Sequence, residues 1–198
     1  MPSRFPECLH CGHSMGEDQL CPQCSLVGRP IDRPLSYSEI RKDLVRESFA
    51  PLIQEHRLEV IGAKDGVLYV NDSKATNVNS AWLALEWFDG PLIWIAGGVD
   101  PRLRGDEHAN DYEILRAVVR EKVDLIYTLG TDNEKIAKAF AGRVVVIPAT
   151  SMVEVVAAAH VYAAPGHTVL LSPACASFDL FENYEDRGRQ FKNAVAAL

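Results

Sequence analysis

An α/β fold with a mainly parallel sheet, covered by helices on both faces, is predicted by three features of this sequence. Residues 91–96, 125–129 and 168–171 are apolar almost throughout rather than alternating, as strands buried on both faces are. Segments with helical spacing stand between them. Polar or glycine-bearing stretches follow three strands directly, at 71–77, 97–100 and 172–179. If those strands are parallel, the three stretches meet along one sheet edge, where strand carboxyl ends and helix N-termini border a ligand crevice.

The composition agrees. With 198 residues, 47% hydrophobic and 24% charged, the chain can bury one ordinary core and still carry a small appendage. A formal charge of -7 argues against a nucleic-acid-binding surface as its main role. No apolar run is long enough to span a bilayer and no signal-peptide core opens the chain, so the expected compartment is the cytoplasm.

The appendage is N-terminal. Four of the five cysteines lie in Cys8-Leu9-His10-Cys11 and Cys21-Pro22-Gln23-Cys24, two CxxC pairs nine residues apart. Two such knuckles place four thiolates tetrahedrally around Zn2+, at Zn–S distances near ~2.3 Å. A redox dithiol, a disulfide pair and an iron site compete with that use. The redox role normally needs a strand-to-helix junction, for which this segment is too short. Residues 1–28 are therefore expected to form a ribbon folded by structural zinc on Cys8, Cys11, Cys21 and Cys24, similar to short zinc ribbons at the ends of bacterial proteins. His10 and His13 are expected at its surface. Residues 29–35, with two prolines, read as a linker to a main domain over 36–198.

Ser36 and Glu39 form a capping-box pattern, and Ile40, Leu44, Val45 and Phe49 follow at helical spacing up to Pro51. Strands are expected at 56–61 and 66–71, joined by a turn at Lys64-Asp65-Gly66. The next strand-to-helix passage, YVNDSKATN at 69–77, supplies Asn71, Asp72, Ser73 and Thr76 as local hydrogen-bonding or capping groups, with Lys74 as a mobile cation. Such a turn either binds an anion at a helix N-terminus or is an ordinary capped turn. Helices are then expected at 80–88, 112–122, 132–140, 152–164 and 185–198, and strands at 91–96, 125–129, 144–147 and 168–171.

HRLE at 56–59, YVNDSKATN at 69–77, AGGVD at 96–100 and LLSPACASFDLFENYEDRG at 170–188 together resemble the C-terminal domain of the UDP-N-acetylmuramoyl-L-alanine:D-glutamate ligases of peptidoglycan synthesis. The resemblance runs from about residue 40 to the C-terminus. It implies a Rossmann-like domain that binds D-glutamate and closes over ATP held by a separate domain. ATP phosphorylates the muramoyl-alanine carboxylate, and the glutamate amine attacks the acyl phosphate. By the same resemblance Thr76 holds the α-carboxylate, and Ser177 with the Phe178 backbone holds the side-chain carboxylate. Tyr184 stands where the family often has Phe against the substrate. Arg57 and Asp72 meet the nucleotide, and Lys74, the catalytic candidate, sits near the transferring charge. The chemistry suits these roles, since carboxylates need N–H and hydroxyl donors and a phosphoryl group needs fixed positive charge.

Two departures qualify the inheritance. Residues 101–108 look like an inserted loop, so Arg102 or Arg104 is the candidate for the family's carboxylate-pairing cation. No GxxxxGK[ST] phosphate loop occurs in the sequence, so the chain alone is not expected to form the amide; ATP and Mg2+ enter only through a protein partner carrying the ATPase and UDP-binding domains. The chain then reads as a D-glutamate-binding half of a split ligase. The alternatives are a non-catalytic module, anchored by its ribbon, that binds a small anion, a nucleotide or a protein, and a truncated ligase.

Outside these motifs, Cys175 is expected to be a buried inert thiol and His56 and His160 to be packing or surface residues. Trp82, Trp87 and Trp94 belong to the core by default. Glu185, Asp186 and Arg187 read as a solvated helix start whose acidic pair complements the dipole. Residues 102–108 read as an exposed loop unless a ligand orders them.

Overall fold

The computed structural model describes residues 54–99, 111–130 and 133–198. The cysteine ribbon, the linker, the helix after Ser36, and Arg102 and Arg104 lie outside them. Among the described residues, six strands form one sheet: β1 (Glu59–Lys64), β2 (Val67–Asn71), β3 (Leu92–Ala96), β4 (Val123–Leu129), β5 (Val145–Ala149) and β6 (Thr168–Leu171), in spatial order β1-β2-β6-β3-β4-β5. β1 runs antiparallel to β2, and every other neighbouring pair is parallel.

The β1–β2 hairpin turns where expected. Asp65 and Gly66 both take positive φ, 52° and 78°, the combination a two-residue type I′ turn requires. β1 itself starts three residues later than the sequence pattern suggests. His56 and Leu58 have φ of 61° and 48°, and a tight bridge between Gln54 and Arg57 occupies the place of the expected first strand residues.

Among the described residues, five helices cover the sheet: α1 (Val78–Trp87), α2 (Arg116–Lys122), α3 (Glu134–Phe140), α4 (Met152–Tyr162) and α5 (Tyr184–Ala196). A 3-10 turn, Tyr112–Leu115, precedes α2, so the segment expected as one helix is built in two geometries. Capping falls to Asn77, Ser151 and Asn183, whose side chains accept the amides of Ser80, Glu154 and Asp186. Asn71 bonds locally as expected, its Oδ1 accepting the Ser73 amide at 3.1 Å, but the side chains of Asn71, Asp72 and Ser73 also make long-range hydrogen bonds.

Strand alternation divides the core. Val70, Leu92, Trp94, Ala96, Ile126 and Leu170 pack with residues of α1, α2 and α3 on one face. Tyr69, Ile93, Ile95, Leu125, Tyr127, Val169 and Leu171 pack with α4 and α5 on the other. Adjacent strand residues thus bury to opposite faces, which is why the strands read as continuous apolar runs. Trp94 is fully buried against Phe140, with its indole N–H donated to the Ser172 carbonyl at 2.7 Å. Trp82 and Trp87 pack half-buried against the same cluster. Among the described residues, no helix is long and apolar enough to cross a membrane.

Candidate functional site

Because β2, β6 and β3 are parallel neighbours, the polar stretches after them lie together at the sheet's carboxyl edge. Backbone bonds stitch them: the Ala174 amide donates to Ala75 O at 2.9 Å, Gly97 to Pro173 O at 2.8 Å, and Val99 to Ala176 O at 2.9 Å. Gly98 is required here. With φ of 141°, a Cβ on it would stand 2.1 Å from Ala176 O, so only glycine lets these two backbones approach. Ala174 adopts φ of 59°, a left-handed conformation that costs about 1 kcal/mol for an L-residue and is held by the surrounding bonds.

A pocket of about 170 Å³ opens beside the first loop, lined by Arg57, Asp72, Lys74 and Ser80 with the apolar Leu58 and Leu83. Asp72 is 4% exposed, accepting the Leu58 amide at 3.2 Å and the Ser172 hydroxyl at 2.8 Å. Burial pushes its carboxyl up to about 7, against the pull of those two bonds and of Arg57 and Arg187. Arg57 reaches the same pocket, and its Nε is buried with no hydrogen-bond partner. Such a donor is costly unless something accepts from it.

Lys74 is half-buried; its amide donates to His56 O at 2.9 Å and its ammonium stands 5.8 Å from the centre of the Tyr184 ring. Thr76, half-buried, follows on the same loop. Ser177 is buried and its carbonyl accepts the Phe181 amide, whereas the Phe178 side chain is exposed. Thus Arg57, Asp72 and Lys74 share the pocket, while Thr76, Ser177 and Phe178, on the strand-end loops, and Tyr184, at the start of α5, are not among its lining residues. Cys175 is buried, as expected, with Tyr112 Oη 3.1 Å from its sulfur.

The reading of Arg187 as part of a solvated helix start is corrected: the residue is only 2% exposed. Its guanidinium donates to Ser73 Oγ at 2.9 Å, Ser73 O at 2.8 Å and Cys175 O at 3.1 Å. Burial pushes it down to about 10, opposed by Cys175, Asp179 and Asp72, so it stays charged at neutral pH. A cation in the first turn of a helix opposes the dipole, and that was the one available signal of a special role. Ser73 completes the knot by donating its hydroxyl to Tyr184 O at 2.8 Å. Asn71 is likewise fully buried, its amide nitrogen 2.9 Å from both His56 Nδ1 and Glu59 Oε2. Among the described residues, no cluster of His, Cys, Asp and Glu could hold a metal ion.

Residues 56–175 match the family model described as the Mur ligase, glutamate ligase domain. The chain is 53% identical over 161 residues to the UDP-N-acetylmuramoylalanine–D-glutamate ligase of Christiangramia forsetii, covering 80% of this chain and 35% of that protein. It is 54% identical over 144 residues to the corresponding ligase of Cytophaga hutchinsonii, covering 72% and 30%. For the Porphyromonas gingivalis enzyme the values are 48% over 162 residues, 81% and 34%. The chain therefore spans about a third of the length of these curated relatives. A crystal structure of a murein peptide ligase from Psychrobacter arcticus matches at a TM-score of 0.51 and 13% identity, over 73% of this chain and 30% of that one, a likeness of fold.

Proposed function

Since this chain belongs to the Mur ligase family through its glutamate ligase domain, we propose that it supplies the D-glutamate-binding part of the ligation that adds D-glutamate to UDP-N-acetylmuramoyl-L-alanine. The observation that carries this reading is the meeting of the 71–77 and 172–179 loops, tied by the Ala174 amide on the Ala75 carbonyl. That meeting brings the loops of Thr76 and Ser177 together, which suits a ligand with a carboxylate at each end. In this reading Thr76 receives the α-carboxylate, and Ser177 with the Phe178 backbone receives the side-chain carboxylate. Tyr184 lies against the substrate. Arg102 or Arg104 adds the pairing cation.

Arg57 and Asp72 meet the nucleotide in the adjoining pocket. The unpartnered Arg57 Nε supports this role, because an anionic oxygen would satisfy it. Lys74 lies between nucleotide and amino acid and stabilises the charge that develops on transfer. In this reading a protein partner carrying the phosphate loop and the UDP-binding domain holds ATP and Mg2+. Cys8, Cys11, Cys21 and Cys24 hold a structural zinc ion by the chemistry of their four-thiolate donor set. In this reading the protein works in the cytoplasm.

Calorimetric titration with D-glutamate, using L-glutamate as control and repeating with ATP, tests the reading. Stereoselective binding that Thr76→Ala and Ser177→Ala both weaken supports it. Equal heats for the two enantiomers, or heats indifferent to both substitutions, would sink it.

A further inference from the structure

Among the described residues Arg187 is the deepest cation near the candidate site, and it donates to two main-chain oxygens and a hydroxyl. Burying a guanidinium costs several kcal/mol, and an apolar side chain of similar volume would fill the same hole at less expense. What an apolar residue cannot supply is a planar fork of donors at fixed angles. That fork spans the carbonyls of Ser73 and Cys175, which belong to different loops, and through Ser73 Oγ it also reaches Tyr184 O at the start of α5. Ser73 lies three residues before Thr76, and Cys175 two before Ser177. The Ala174 amide on Ala75 O and the Ser172 hydroxyl on the Asp72 carboxylate are further ties between the same loops.

We propose that Arg187 is a positioning residue: by clamping Ser73 to Cys175 it fixes the separation of Thr76 and Ser177, and so selects a dicarboxylate of glutamate length over the shorter aspartate. This inference rests on the reading of Thr76 and Ser177 as the two carboxylate-binding groups. The extra methylene of glutamate sets its carboxylates about 1.2 Å further apart. Slack of that size between the loops is enough to erase discrimination between the two acids.

Two variants of the full chain test it. Arg187→Lys keeps the charge and loses the fork; Ser73→Ala removes only the hydroxyl and perturbs folding less. D-glutamate and D-aspartate are titrated into each by calorimetry, and amide exchange is followed in both loops. The parent is expected to prefer D-glutamate by about tenfold or more, and Arg187→Lys to bring that ratio near unity, mainly by weakening D-glutamate. Exchange at Ala75 and Ala174 rises together in both variants, while the β3 amides keep their protection. An unchanged preference in both variants overturns the length selection, and unchanged exchange in both overturns the clamp. A parent that takes neither acid removes the glutamate reading and the selection with it, while exchange still decides the clamp.

Discussion

The Ser172 hydroxyl donates to the Asp72 carboxylate at 2.8 Å, joining residues one hundred positions apart at the ends of two adjacent parallel strands. Asp72 also caps the Leu58 amide, so one buried carboxyl fastens the 54–58 turn, the first loop and the second.

The state of that carboxyl makes stability depend on pH. Burial raises its folded value to about 7, from an ordinary value of 3.8, so between these limits the folded protein binds a proton that the unfolded chain releases. Its contribution is fully present below about pH 4 and is lost as the pH rises through about 7, a span of a few kcal/mol. Urea unfolding from pH 4 to pH 8 should show this decline, and Asp72→Asn should flatten it. Parallel pH profiles for the two proteins would show that Asp72 is not its source.

Gly188→Ala should destabilise the protein although the position is helical. Alanine ordinarily gains about 1 kcal/mol over glycine in a helix. Here the new Cβ would stand 2.2 Å from His56 Nδ1 and 3.0 Å from Asn71 Nδ2, and His56 is fixed by its left-handed backbone. A net loss of about 1–3 kcal/mol is expected by thermal unfolding. The same change in a His56→Ala background should cost much less; an equal cost in both would place the strain elsewhere.

Lys122 lies at the end of α2 with its ammonium donating to Leu85 O and Glu86 O, 3.6 Å from the buried Glu86 carboxylate. Lys122→Met removes this cation from beside the buried carboxylate and should cost about 3–5 kcal/mol in denaturant unfolding. Adding Glu86→Gln should recover a large part of the loss. If the single and double variants unfold alike, the pair is not coupled.

For the cysteine ribbon, metal analysis of the purified protein should find about one equivalent of zinc, released by Cys8→Ser or Cys24→Ser. Less than about half an equivalent in the parent, or four freely titrating thiols, would remove the site.

Much of the sheet was legible in the sequence because its signals are local. Apolar runs with turn chemistry between them gave β2, β3, β4 and β6 within two residues, and Asp65-Gly66 gave the hairpin. The first strand was misread because HRLE has a strand's residue types but bends through left-handed conformations at His56 and Leu58, which tertiary contacts impose. Of the site, the three strand-end stretches were legible through their residue types, and their meeting followed from parallel order. Of the pocket, Asp72 and Lys74 were legible as part of the polar turn after a strand, and Arg57 only through motif resemblance.

By itself, then, the sequence determined the α/β class, the polar loops at the strand ends and the family, because periodicity and contiguous motifs are carried by neighbouring residues. The tertiary structure decided the roles of Arg187, Ser73 and Ser172. Their partners are carbonyls and carboxylates brought close only when β2, β6 and α5 assemble, and a main-chain oxygen has no signature in the sequence.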